Sequence, residues 1–288
     1  MFWKVLQFPL VRFLIATSVL LLIQIGSVTL IPVHLRSVAG IFVALCMIVL
    51  FCAAYAAYVR IIERRPVEEL SLRGAAFEFV RGYGTGMVLF LLTMFILMLG
   101  GIATITSGAG WAALGYACIV SLYVGVTEEL LIRGVLFRIV EESLGSWLAL
   151  AISAAIFGGL HAFNPGANLF DSLAIALEAG VLLAAVYMYT RRLWMVIGLH
   201  AAWNFTEGGI FGSSVSGGTS HGLLTSTFSG PALFSGGKFG PEASIVAVLV
   251  CFSAAVVFLM LAGHRRHIAP PLWRRNRNAA STTEAHAK

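Results

Sequence analysis

Six ionisable side chains and one amide stand inside stretches that otherwise read as lipid-compatible helix. Glu128, Glu129 and Arg133 fall together in SLYVGVTEELLIRG, followed at a distance by His161, Glu178, His200 and Asn204. An ionisable group within a bilayer costs several kcal/mol, so such residues default to a functional reading. Their spacing orders them. Glu129 precedes Arg133 by four positions and can pair with it along one helix face. Glu128 sits about 100° further round and is free of that pair. His161 follows Phe157 by four positions, and Asn204 follows His200 by four. Each helix therefore presents one polar stripe on an apolar cylinder, and three such stripes imply one shared, partly hydrated pocket.

A carboxylate can take a proton from water, a histidine can hold that water, and His plus Asn can donate hydrogen bonds to an oxyanion. Together these residues are the inventory of a hydrolytic site. Singly, each has a plainer role. A lone histidine in a membrane helix often hydrogen-bonds a neighbouring helix, and a Glu–Arg pair at a helix end often only anchors it. Glu178, standing by itself, reads as an interhelical hydrogen bond with its carboxyl protonated. Glu128, His161 and His200 could also supply three ligands to Zn²⁺ with water as the fourth, or hold the water without an ion. Other membrane-protease chemistries lack their residues. Asp171 is the chain's single aspartate, and neither His161 nor His200 is followed by Glu, as H-E-x-x-H requires. The stretch GTSHG at 218–222, the nearest setting for a nucleophilic serine, falls in a loop.

The elements that must position these side chains are membrane spans. The chain is 59% hydrophobic and 11% charged, with a mean hydropathy of +0.92, far outside the soluble range. Spans of about 20 apolar residues are expected near 10–31, 38–59, 80–102, 110–130, 147–162, 172–189, 194–212 and 243–263. The fold class is thus an all-α, polytopic bundle of about eight transmembrane helices forming one domain over 1–270. With both termini placed in the cytoplasm, only Arg36 and Lys238 of the 19 basic residues fall outside, leaving 17 inside, which supports that orientation. The formal charge of +6 therefore reports membrane orientation and excludes a nucleic-acid reading. Residues 271–288 read as a basic, disordered cytoplasmic tail, and 206–242, rich in Gly, Ser and Thr, as either a cap or a connector. Cys46, Cys52, Cys118 and Cys251 lie in apolar runs without CxxC spacing and read as small buried hydrophobes.

EELLIR (Glu128 to Arg133), FGGLH (Phe157 to His161) and HAAWN (His200 to Asn204) match EExxxR, FxxxH and HxxxN motifs. In that order on successive membrane helices they resemble the CAAX prenyl protease type II (CPBP) family of intramembrane proteases, which includes bacterial bacteriocin-processing and immunity proteins. The resemblance covers about residues 115–210. It implies an endopeptidase acting on a membrane-associated peptide or protein, in a bacterial inner membrane, through a site opening to the cytoplasm. By position it makes Glu128 the general base, working with His161 on the attacking water. Glu129 and Arg133 become the ion pair orienting Glu128, and His200 with Asn204 the oxyanion donors. Two other functions fit a Glu/His pocket: a proton-coupled transporter, and a non-catalytic immunity or partner-binding protein. Neither an inverted repeat nor matched broken helices favour transport.

Overall fold

In a bilayer every backbone N–H and C=O must be bonded within the chain, which long apolar helices achieve. The computed structural model, which describes residues 2–34 and 38–275, is accordingly almost entirely helical. Six helical stretches are long and apolar enough to cross a membrane: Pro9–Ser27, Ala39–Glu63, Ala75–Leu99, Ala113–His161, Leu169–Thr190 and Ile245–His264. The count differs from the expected eight for two reasons. The spans expected at 110–130 and 147–162 are limbs of one stretch, which runs past Glu129 through a π-helical segment, Leu130–Phe137, and reverses at Gly145. Gly145 has φ 79° and ψ 169°, a left-handed conformation that favours glycine. The span expected at 194–212 is the helix Leu193–Asn204 prolonged by a π-helical segment, Phe205–Ile210.

Two small departures come from the connections. Ala103–Ser107 and Leu224–Phe228 form an antiparallel pair of strands, with Ala103 opposite Phe228 and Ser107 opposite Leu224. Their β-branched ATITS and LTSTF sequences suit a pleated ribbon, and the pairing ties the 206–242 segment to the end of the Ala75–Leu99 helix. That segment is a folded cap, joined internally by bonds such as Gly217 N–H to Phe239 O at 2.7 Å. At the other end of the bundle, chain expected to be disordered from 271 is instead packed as far as 275. Ser146 N–H donates to Ala269 O (3.0 Å) and Arg275 Nη2 to the carbonyls of Glu141 and Glu142 (3.2 Å each). The strap fills the break at Gly145, where a Cβ would stand 2.8 Å from Ala269 O. Arg36 and the rest of the expected tail, 276–288, lie outside the described residues.

The arginines gather at the end that holds this strap. Glu63 accepts from Arg12 (2.6 Å), Arg138 (2.5 Å) and Arg65 (2.8 Å), while Glu142 accepts from Arg12 (2.6 Å) and Arg138 (2.9 Å). Arg191 reaches Glu141 and Arg192 reaches Glu78. Arg191 lies just beyond its span, and its bonds to Glu141 outweigh the effect of burial and strengthen its charged form. The helix Leu193–Asn204 is set against Ala75–Leu99 by glycines. A Cβ on Gly82 would stand 2.0 Å from Met195 O, and one on Gly86 2.2 Å from Leu199 O. This small-xxx-small spacing lets two backbones meet where lipid offers no hydrophobic drive. It seats the helix that carries His200 and Asn204.

Candidate active site

Glu129 and Arg133 lie on consecutive turns of the central stretch, both with 0% side-chain exposure, and Arg133 Nη1 is 2.7 Å from Glu129 Oε1. A buried guanidinium needs its other donors used as well. Arg133 Nη2 donates to Gly180 O at 3.1 Å, the guanidinium lies 4.9 Å from the centre of the Phe157 ring, and Nε has no hydrogen-bond partner among the described residues. Gly180 ends the π-helical segment Ala176–Gly180, so the arginine ties three helices together.

The same Glu129 oxygen accepts from His200 Nδ1 at 2.8 Å. A carboxylate only accepts, so the Nδ1 proton is on His200, and Nε2 is left 3.9 Å from Glu128 Oε2. The Glu–Arg pair was expected to orient Glu128; its direct contact is with His200. Glu128 makes no pair with Arg133 and is 37% exposed at its side chain. Its Oε2 is buried without a hydrogen-bond partner in the protein.

His161 closes the second helical limb. Its Nδ1 is 2.8 Å from Phe157 O, one turn back. A carbonyl only accepts, so Nδ1–H donates and Nε2 is the nitrogen left for the cleft. Phe157 is the spacer for both histidines, with ring centres 4.6 Å from His161 and 6.1 Å from His200. Both imidazoles thus commit Nδ1 to the scaffold and keep Nε2 free.

Glu128, His161, His200 and Asn204 all line one cleft of about 1250 Å³. It opens away from the arginine-rich end. From Glu128 its walls run past Val124 and Val120 to Ala113 and Ala109. From His200 they run past Asn204 to Gly208 and the cap residues 215–221. All of these lie away from the arginine-rich end, below which the Glu129–Arg133 pair and the Glu63 network close the bundle.

A narrower recess behind the cleft, lined by His161, His200 and Asn204, holds two more acids, Glu178 and Glu242, together with Ser216. Glu178 is therefore not isolated: its Oε1 accepts from Cys251 Sγ at 3.3 Å. Glu242 is buried in the cap, where Ser216 N–H donates to its Oε1 at 2.6 Å. Burial pushes its carboxyl above the usual carboxylate range, against the opposing pull of His161 and Ser216. Glu207, wholly buried, adjoins it. Sequence reasoning missed Glu207 and Glu242. An ionisable residue within the expected 194–212 span was signal enough for Glu207; nothing local marks Glu242, because only the folding of the cap brings it here.

The zinc expectation meets a poor geometric fit. Among the described residues no three His, Cys, Asp or Glu side chains are grouped to hold a metal ion. Both imidazoles bond the scaffold through Nδ1, so Glu128 and the two Nε2 atoms stay the candidate ligands, though they are not grouped as one set here.

Residues 110–206 match the family model described as type II CAAX prenyl endopeptidase, Rce1-like. The matched segment contains all three motifs and supports the CPBP family for this chain. No curated protein and no solved structure matches it.

Proposed function

We propose that this chain, a polytopic membrane protein of the type II CAAX prenyl protease family over residues 110–206, is an intramembrane endopeptidase that drives water onto a peptide bond with Glu128. The observation that carries the proposal is that Glu128 lies beside His200 Nε2 with an oxygen left unbonded, in a cleft that His161 and Asn204 also line.

The attacking water donates one proton to Glu128 and hydrogen-bonds through the other to His161 Nε2, which accepts because Nδ1 holds the proton. As the water oxygen forms its bond to the carbonyl carbon, the carbonyl π pair moves onto oxygen. Asn204 donates to that oxyanion from its amide. His200 donates from Nε2 when doubly protonated, with Glu129 accepting from Nδ1. Glu128 then passes its proton to the leaving nitrogen as the C–N bond breaks. No step uses an ion.

The test is cleavage by purified, reconstituted protein. A general base contributes about 10²–10⁴-fold, so Glu128→Gln should lose that much while staying folded. Cleavage unchanged in Glu128→Gln would end this reading. Substrate transport that persists in that variant would favour the transporter.

A further inference from the structure

We infer that the cleft receives its substrate from the non-cytoplasmic side of the membrane, and that the substrate is a peptide segment without acidic side chains at the scissile bond, exported or tethered there. The inference rests on the protease reading and adds the direction of access and the substrate class.

Direction follows from two independent observations. The first is the plug. Following the central stretch from Glu128 toward Gly145, the next turns carry the wholly buried Glu129–Arg133 pair. Below it Phe137 stacks edge-on against Tyr187 at 5.3 Å. Arg138 then joins Arg12 on Glu63, with side-chain exposures of 9% or less. A peptide entering from that end would have to part ion pairs whose separated members would be stranded in low dielectric. The second is charge. Among the described residues, the plugged end carries the arginine network, whereas the cap end carries Lys238. Basic residues collect on the cytoplasmic side of membrane proteins, so the plugged end is cytoplasmic and the open end is not. A cytoplasmic C-terminus therefore has no route to Glu128.

Substrate class follows from the walls. The cleft of about 1250 Å³ exceeds the roughly 300–1,000 Å³ typical of small-molecule pockets, which suits a length of peptide. Ala109, Ala113, Ala117, Gly208 and Gly209 line its sides and leave width for a peptide chain. Glu128 is the one Asp, Glu, Lys or Arg among the residues lining it, so an acidic substrate side chain beside it meets a like charge and neither Lys nor Arg. Desolvating such a side chain without a partner is costly. Selection is therefore against Asp and Glu around the scissile bond.

The experiment has two arms in intact cells. In the first, Thr219→Cys at the exposed cap and Arg73→Cys at the exposed arginine-rich end are made with Cys46, Cys52, Cys118 and Cys251 replaced by alanine. A membrane-impermeant maleimide should label the Thr219→Cys protein at once and the Arg73→Cys protein only after permeabilisation. The reverse pattern overturns the direction. In the second arm, a single-span reporter carries one uncharged stretch of Ala, Val, Ser and Gly beside the membrane on either the outer or the inner face. Outer-face cleavage, falling at least about 10²-fold in Glu128→Gln, is expected. Glu128-dependent cleavage of the inner-face reporter alone overturns the inference but leaves the protease reading intact. Placing Asp residues in the stretch should abolish cutting, and equal cutting of the acidic stretch overturns the substrate class. If neither reporter is cut in a Glu128-dependent way, the protease reading fails and takes the substrate class with it. The labelling arm then still decides the direction.

Discussion

A 2.8 Å hydrogen bond joins His200 Nδ1 to Glu129 Oε1, the oxygen that also meets Arg133 Nη1 at 2.7 Å. The Glu129 carboxylate is thus held by a guanidinium on one side and fixes an imidazole on the other. This sets the His200 tautomer and leaves Nε2 toward Glu128. The arrangement has the logic of an acid–histidine pair in hydrolases, where the acid orients the ring without taking its proton.

Glu129→Gln tests that role. The amide keeps the shape but removes the carboxylate charge that stabilises doubly protonated His200. With the amide oxygen accepting from Nδ1–H, Nε2 has no proton to give the oxyanion, and a loss of about 10²–10³-fold, the cost of one such donor, is expected here. Cleavage rate read beside the monodispersity of the solubilised protein decides it. A folded Glu129→Gln protein at full activity would show that the Glu129–His200 bond has no part in the reaction.

Arg133→Ala should fail differently. It strands Glu129 in a site with no water exposure and removes the donor to Gly180 O. Breaking a buried pair by removing one partner costs about 3–5 kcal/mol, a large share of the stability of a typical protein. Low membrane abundance and a markedly lower Tm are expected. A stable, abundant Arg133→Ala protein that binds peptide without cutting it would move Arg133 into the chemical step.

Metal removal separates the two ways of holding water. With no three-ligand group among the described residues, prolonged dialysis against a chelator should leave the cleavage rate within about twofold of the untreated protein. Loss of activity restored by Zn²⁺ would mean that Glu128, His161 and His200 regroup around an ion, which then shares the water with Glu128.

The sequence carried the local part of this site and lost the long-range part. Helical spacing places Glu129 beside Arg133 and His161 one turn beyond Phe157, and both contacts are present as hydrogen bonds. Periodicity within one helix fixes such pairs whatever the surroundings. The His200–Glu129 bond spans 71 positions and depends on how two helices seat, which the glycines at 82 and 86 control through contacts no single-helix pattern reveals. The six apolar stretches were legible because lipid demands them. A turn between the spans at 110–130 and 147–162 was legible too, but its place at Gly145 was not, since one glycine among helix-compatible neighbours gives no boundary until the 269–271 strap fills its gap. The cap was the least legible: its Gly, Ser and Thr residues carry no period, and its order comes from pairing with a strand more than 100 positions earlier.

Glu242 is where that cap bears on the site, and pH should expose it. Burial raises the pKa of its carboxyl above the usual carboxylate range, so the folded protein prefers it protonated more than the unfolded chain does. An acid with a raised folded-state pKa stabilises the fold most at low pH. Its contribution fades as pH climbs from the unfolded value toward the folded one, because the unfolded chain then ionises freely while the fold resists. The groups that face Glu242 set the remaining terms: Glu207 beside it, Glu178 across the recess, His161 at the site and the Ser216 N–H. Glu242→Gln keeps an acceptor for Ser216 and removes the ionisation. The Tm of the wild-type protein in detergent should therefore fall relative to that of Glu242→Gln as pH rises from the ordinary carboxylate range toward neutrality. The two should come together again in acid. A Tm difference that stays constant across that interval, or that widens toward acid, would show that burial does not raise the Glu242 carboxyl and that the cap places no titrating group behind His161.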